Sequence, residues 1–209
     1  MKKALLIVDV QNDFCPGGAL AVPDGNKVVK PVNRMLEYFG AFGKSRPSWF
    51  IAASMDWHPD SHCSFKEQGG LWPPHCVQNT DGAYLHPDLN ISPWSSMVFK
   101  KGFERDKDSY SAFGGSVNLS YMGTFGLNFS LEEVLKKLNV EKVYICGLAT
   151  DYCVKATALD AVSKGFKTYL LTDACRAVNV KPGDDIRALS EIANAGIEFT
   201  TTDEVIRDE

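Results

Sequence analysis

Apolar positions along the chain follow two spacings. Short apolar runs, many of them β-branched, occupy 3–8, 49–54, 96–99, 142–146, 167–171 and 197–200. Runs of this kind predict strands buried on both faces. Between them the spacing becomes helical. Val28, Val29, Val32, Leu36 and Phe39 mark one face of 26–39, with Pro31 in the first turn, where a missing N–H costs nothing. Ser130 and Glu133 have the spacing of a capping box, which starts a helix over 131–138. Further helices are predicted over 152–163 and 185–195, closed by Gly165 and Gly196. Strand–helix alternation predicts an α/β fold with a parallel sheet covered by helices on both faces. Two stretches break the rhythm, 56–95 and 102–129. Connections this long inside a compact domain are usually functional. The second is rich in glycine, serine and aromatic residues and reads as a lid or a partner surface.

Composition narrows the class. The chain has 209 residues, 44% hydrophobic and 23% charged, as expected of a single globular domain over 1–209 with its own core. A net charge of -4 gives no basic footprint for nucleic acid. No apolar run is long enough to span a bilayer. The opening "MKKALLIVDVQNDF" starts like a leader, but its run is short and ends in Asp9 with no cleavage site after it. It reads as the first strand. The six cysteines include no CxxC pair, so free thiols in a cytoplasmic protein are expected.

In an open parallel sheet, chemistry collects beyond the carboxyl ends of the strands. Those ends supply Asp9, Asp56, Lys101 and the turn 147–153. Asp56 and His58, two apart in extended chain, point to one side. All four histidines fall within 58–86, and His75 follows Pro73 and Pro74. Asp56, His58 and His75 make an open site for a divalent ion such as zinc. A polar loop with satisfied histidines is the plain alternative, and a closed knot with Cys63 and Cys76 fits no usual spacing. His62 is a fourth ligand or a hydrogen-bonding neighbour of the ligands. His86 reads as structural. Cys153 falls in the first turn of a helix, where the dipole and unpaired N–H groups favour a thiolate and could hold an oxyanion. The alternative is a small core residue. Asp9 is the natural base for the thiol, and Lys101 would keep that aspartate ionised. Asp151 could cap the helix.

The stretches "LLIVDVQNDFCPGGAL", "DWHPDSHCSF", "WPPHCVQNTDGAYLHP", "VFKKG" and "CGLATDYCVKATALDA" together resemble the pyrazinamidase/nicotinamidase family of isochorismatase-like cysteine hydrolases. The match runs through most of the chain in the right order. The resemblance implies a three-layer fold with a six-stranded parallel sheet. It implies hydrolysis of nicotinamide to nicotinate and ammonia through a cysteine thioester, in NAD salvage. Cys153 would be the nucleophile, Asp9 the acid/base and Lys101 the third catalytic member. Asp56, His58 and His75 would bind the metal, zinc first and iron or manganese as other candidates. The Leu148–Ala149 peptide would be cis, with the Ala149 and Cys153 N–H groups facing the oxyanion. Phe14 and Trp72 would wall the ring pocket. The substrate would be the small-molecule partner, and assembly as a homo-oligomer is left open. The residue at position 62 varies in this family, and 102–129 is longer than in compact bacterial members. Metal-free cysteine amidases of the same superfamily lack the metal triad, and isochorismatases lack the cysteine. A non-catalytic metal- or redox-sensing protein would leave Asp9 and Lys101 unexplained.

Overall fold

Strand β1 (Lys2–Val8) is buried from Ala4 onward, as an unbroken apolar run requires when helices cover both faces of a sheet. It is found in a computed structural model that describes residues 2–39, 49–92, 96–118 and 128–208. The other strands are β2 (Trp49–Asp56), β3 (Ser96–Lys101), β4 (Ser116–Asn118), β5 (Asn128–Ser130), β6 (Val140–Leu148), β7 (Lys167–Arg176) and β8 (Glu198–Thr200). They form one sheet in the order β5-β4-β3-β2-β1-β6-β7-β8. All six expected strands are present and pair in parallel. The sheet has eight strands rather than six, because β4 and β5 extend the β3 edge in antiparallel fashion. Each is three residues long, too short for a period-two pattern to register. β4 lies within the 102–129 stretch, and β5 begins in it and ends at Ser130. Residues 119–127 of that stretch, and 93–95 of the first, lie outside the described residues.

The helices are α1 (Val29–Phe39), α2 (Leu131–Lys137), α3 (Lys155–Ser163), α4 (Asp184–Asn194) and α5 (Thr202–Arg207). The buried face of α1 is Val29, Val32, Met35, Leu36 and Phe39. Its expected first turn is instead a tighter 3-10 turn at Gly25–Val28. The capping box before α2 forms in full, the Ser130 hydroxyl accepting from the Glu133 N–H while Glu133 reaches back to the Ser130 N–H. An unanticipated second one starts α5, between Thr201 and Glu204. The predicted helix over 152–163 begins differently. A π-helical turn, Thr150–Val154, precedes α3, with the Val154 N–H donating to the Ala149 carbonyl at 3.1 Å. No helix among the described residues is long and apolar enough to cross a membrane.

Topology places the chemistry. From β1 the chain moves outward to β2 and β3, then returns to β6 on the other side of β1. Right-handed crossovers in opposite directions put α1 and α3 on opposite faces. The switch point lies between β1 and β6, where open α/β sheets hold their ligands. There Val8 pairs with Gly147. A Cβ on Gly147, whose φ is +119°, would sit 2.0 Å from the Val8 carbonyl oxygen. Only glycine lets the two strand ends approach this closely.

Candidate active site

Asp9 follows the last residue of β1 and turns there with φ +48°. The Ser54 hydroxyl of β2 donates to its Oδ1 at 2.7 Å. The register of β2 and β3 sets Asp56 beside Lys101. Three strand ends thus meet on the Lys101 ammonium, which is fully buried. Its Nζ lies 3.0 Å from Asp9 Oδ2, is paired with Asp56 Oδ1, and donates to the Ser109 carbonyl at 3.1 Å. It also stands 3.5 Å from Cys153 Sγ. Burial opposes the charge on Lys101, but Asp56 and Asp9 outweigh it and hold its pKa well above the usual value. Burial likewise opposes ionisation of Asp56, yet Lys101 and the imidazole of His58 outweigh it and bring its pKa below the ordinary range. Asp9 goes the other way. Its burial, with Asp56 nearby, raises its pKa against the pull of Lys101.

Cys153 sits in the π-helical turn, 5% exposed. One ligand atom from each of Asp9, Asp56 and Cys153 lies within 4.8 Å of the others. Burial pushes the Cys153 thiol well above its ordinary pKa, with Lys101 acting against it. The sequence pointed to a preformed thiolate at a helix start. In the structure desolvation acts on this thiol in the opposite sense, and more strongly than the one nearby ammonium. The Leu148–Ala149 peptide just before this turn is cis. Asp151 does not cap its own helix. Its carboxylate accepts from the N–H groups of Val178 and Asn179 at 3.0 and 2.8 Å.

Asp56, His58 and His75 bring one potential ligand atom each within 4.8 Å of one another, and all three are buried. His58 Nδ1 lies 2.8 Å from the Gly102 carbonyl, and His75 Nδ1 lies 2.8 Å from the Pro73 carbonyl. A carbonyl only accepts, so each Nδ1 carries a proton, which leaves Nε2 as the atom of each ring that could bind a metal. His58 Nε2 is 3.6 Å from Asp56 Oδ2. Burial lowers the His75 pKa, which favours the neutral, ligating form. Two imidazoles and a carboxylate fit a divalent metal with positions left open. At Gly102 a Cβ would come within 2.4 Å of the His58 ring, so the backbone behind that ligand needs glycine. His62 stands outside the triad. It stacks on His58 at 4.1 Å, and its two ring nitrogens face the Ser64 hydroxyl at 2.7 Å and the Lys107 carbonyl at 3.2 Å. His86 accepts from the Asp88 N–H through Nδ1. Cys63 and Cys76 are free thiols, as are the other four cysteines.

A pocket with about 360 Å³ of empty space opens on these groups. Asp56, His75, Ala149 and Cys153 line it, facing Phe14 and Trp72. The strand-end residues, the triad and both predicted aromatics are therefore brought to one place. Tyr110, from the 102–129 stretch, completes a wall, its hydroxyl accepting from the Trp72 indole at 3.0 Å. Sequence reasoning missed Tyr110, Ser54, Gln11 and Asp13. Gln11 is fully buried and makes three hydrogen bonds to Asp56 and Ala83. A polar residue just beyond a buried strand was its only visible signal.

Residues 3–204 match the model of the isochorismatase domain. The chain is 41% identical to a nicotinamidase from Escherichia coli over 95% of its length and 94% of that protein. Its fold is similar to the crystal structure of a Pyrococcus horikoshii pyrazinamidase in complex with zinc. That similarity has a TM-score of 0.79 at 43% identity, covering 96% of this chain and 99% of the other. It is also similar to PnC1 from L. infantum in complex with nicotinate, at TM-score 0.79 and 34% identity, covering 97% and 93% of the two chains.

Proposed function

The chain belongs to the isochorismatase domain family, and from that premise we propose that it is an amidohydrolase converting nicotinamide to nicotinate and ammonia. One observation carries this reading. Cys153 lines one pocket with Asp56 and His75, and directly behind it the buried Lys101 ammonium lies 3.5 Å from its sulfur and 3.0 Å from Asp9. In the proposed mechanism Asp9 takes the Cys153 proton, and the sulfur attacks the carboxamide carbon. The Ala149 and Cys153 N–H groups receive the negative oxygen. Asp9 then passes its proton to the departing nitrogen, which leaves as ammonia, and a thioester remains. A water gives a proton to Asp9 and attacks the thioester, and that proton returns to sulfur as nicotinate leaves. A carboxyl whose pKa is raised by burial suits both directions of transfer. Lys101 stays charged throughout and stabilises the carboxylate form of Asp9.

Asp56, His58 and His75 would hold the divalent ion, which we propose is zinc. When bound, it supplies a Lewis-acid anchor for the ring nitrogen. Phe14 and Trp72 sandwich the ring and exclude water, so that the carboxamide is presented to Cys153. This metal triad separates the chain from metal-free amidases of the superfamily. We read the chain as one catalytic domain in which His58, Trp72 and His75 of the first long connection carry metal and substrate contacts and Tyr110 of the second walls the pocket. Its product would feed pyridine nucleotide salvage in the cytoplasm, where its six thiols stay reduced.

The test is ammonia release from nicotinamide by the wild type and Cys153→Ala, with metal content measured on the same preparations. Turnover should vanish in Cys153→Ala while ring binding persists. Turnover retained by that variant would exclude the thioester route, and no ammonia release by the wild type would exclude the function.

A further inference from the structure

The loop after β1 carries more than Asp9. At Gln11 and Asp13 it grips the backbone of the segments that bear the metal triad. Gln11 Nε2 donates to the Asp56 carbonyl at 2.8 Å and to the Ala83 carbonyl at 2.7 Å, and Gln11 Oε1 accepts from the Asp56 N–H at 2.8 Å. The amide thus satisfies both backbone groups of a single residue, the residue whose carboxylate faces His58 and Lys101. Asp13 Oδ2 accepts from the Cys76 N–H at 2.7 Å, and its Oδ1 accepts from the Ala19 N–H at 3.0 Å. That Cys76 N–H belongs to the peptide directly after His75. Cys76 itself has φ +46°, a conformation a non-glycine residue adopts only when its surroundings hold it. The Cys76 carbonyl in turn accepts from the His58 N–H at 3.0 Å. The Asp13 carboxylate is wedged against Gly82, where a Cβ would stand 2.2 Å from it.

Neither Gln11 nor Asp13 lines the substrate pocket or contributes to the triad. Their contacts run to backbone groups of Asp56 and Cys76, and through Cys76 to His58. We infer that Gln11 and Asp13 are positioning residues for the metal centre, holding the three ligands in register from a single loop. Asp9, Gln11 and Asp13 alternate along that loop, one serving the nucleophile and two serving the metal. The inference rests on Asp56, His58 and His75 being the ligands, as proposed above. Partners that orient metal ligands typically change affinity by roughly 10–100-fold when removed.

Zinc affinity is the decisive measurement, made by competition with a chromophoric chelator on wild type, Gln11→Met, Asp13→Asn and Asn12→Ala. Gln11→Met keeps volume and loses all three hydrogen bonds. Asp13→Asn keeps shape, but one of its two acceptor positions becomes a donor facing an N–H. Asn12 is the control. It sits in the same loop, and its side chain donates to the Asp81 carbonyl at 2.7 Å, away from the ligands. Gln11→Met and Asp13→Asn should each weaken zinc binding by about 10–100-fold and alter the visible spectrum of the cobalt(II)-loaded protein. At saturating zinc their kcat should recover further than their KM. Asn12→Ala should bind zinc as the wild type does. Wild-type affinity in folded Gln11→Met and Asp13→Asn overturns the inference alone. So does an equal loss in Asn12→Ala, which would mean general loosening of the loop. Absence of zinc binding by the wild type overturns the metal assignment and this inference with it. Thermal unfolding of the metal-free proteins confirms that each variant is folded, and Asp13→Asn serves as the probe if Gln11→Met is not.

Discussion

Lys101 is a cation with no access to water, set between two carboxylates and a thiol. Lys101→Met would leave Asp9 and Asp56 buried without their counter-charge. Breaking a buried pair from one side costs about 3–5 kcal/mol, so this variant should lose stability on that scale in urea unfolding and lose turnover as well. Asp9 gives a pH prediction. Its pKa is raised by burial, and it must be ionised to accept the thiol proton. The acid limb of kcat/KM should therefore lie above the ordinary aspartate range of about 3.9. Activity should fall as pH drops through that raised value, and Asp9→Asn should remove turnover at every pH. Asp9, Asp56, Lys101 and Cys153 were legible in sequence because each follows or ends a recognisable strand. Gln11 and Ser54 were not. Their partners lie 45 residues away in sequence, and a side chain aimed at so distant a partner leaves no local pattern.

The elements differ in how plainly they announce themselves. The six parallel strands are short apolar-rich runs and could be read directly, although β8 carries a glutamate and is mostly exposed. β4 and β5 are too short for that. The π-helical turn carrying Cys153 depends on one extra residue in a helical start, which periodicity does not resolve. The start of α5 was legible in principle, since Thr201 and Glu204 have the same spacing as Ser130 and Glu133. Ser130→Ala removes a hydroxyl that accepts from the Glu133 N–H and should destabilise the protein by about 1 kcal/mol, measured by denaturant titration. Glu132 ties α2 to the residue after α3, pairing with Lys136 at 2.5 Å and Lys164 at 2.7 Å. The hydrogen bonds from those lysines lower its pKa to about 2. A carboxylate with a depressed folded-state pKa stabilises above its unfolded value, about 4.3, and loses that effect as pH falls towards about 2. In Glu132→Gln, stability should therefore fall less steeply across that window.

On the scale of the whole molecule, four strand ends and two long connections supply one pocket. The sheet order brings Asp9, Asp56, Lys101 and Cys153 together, while His75 and Tyr110 come from the stretches that broke the sequence rhythm. Chelation of the wild type should raise KM sharply and lower the melting temperature, because an ion that binds only the folded state stabilises by mass action. Unchanged KM and melting temperature in protein shown to be stripped of metal would count against the triad as a metal site. The parallel core and the strand-end chemistry could be foreseen because topology rules are general. That the second insertion supplies a carbonyl to Lys101 through Ser109 and a wall through Tyr110 could not, since both depend on how a long connection folds back.

The two oxygens of Asp56 face different neighbours, one the Lys101 ammonium and the other His58. For anyone redesigning this enzyme, the proposed metal centre and the proposed nucleophile are therefore not separate modules. Exchanging His58 or His75 removes one proposed ligand but leaves Lys101 both of its carboxylates. At Asp56, by contrast, a neutral residue removes a proposed ligand and leaves a buried lysine short of a counter-ion in the same step. A metal-independent version would have to keep an anion at position 56, and the histidines are where such a conversion would begin.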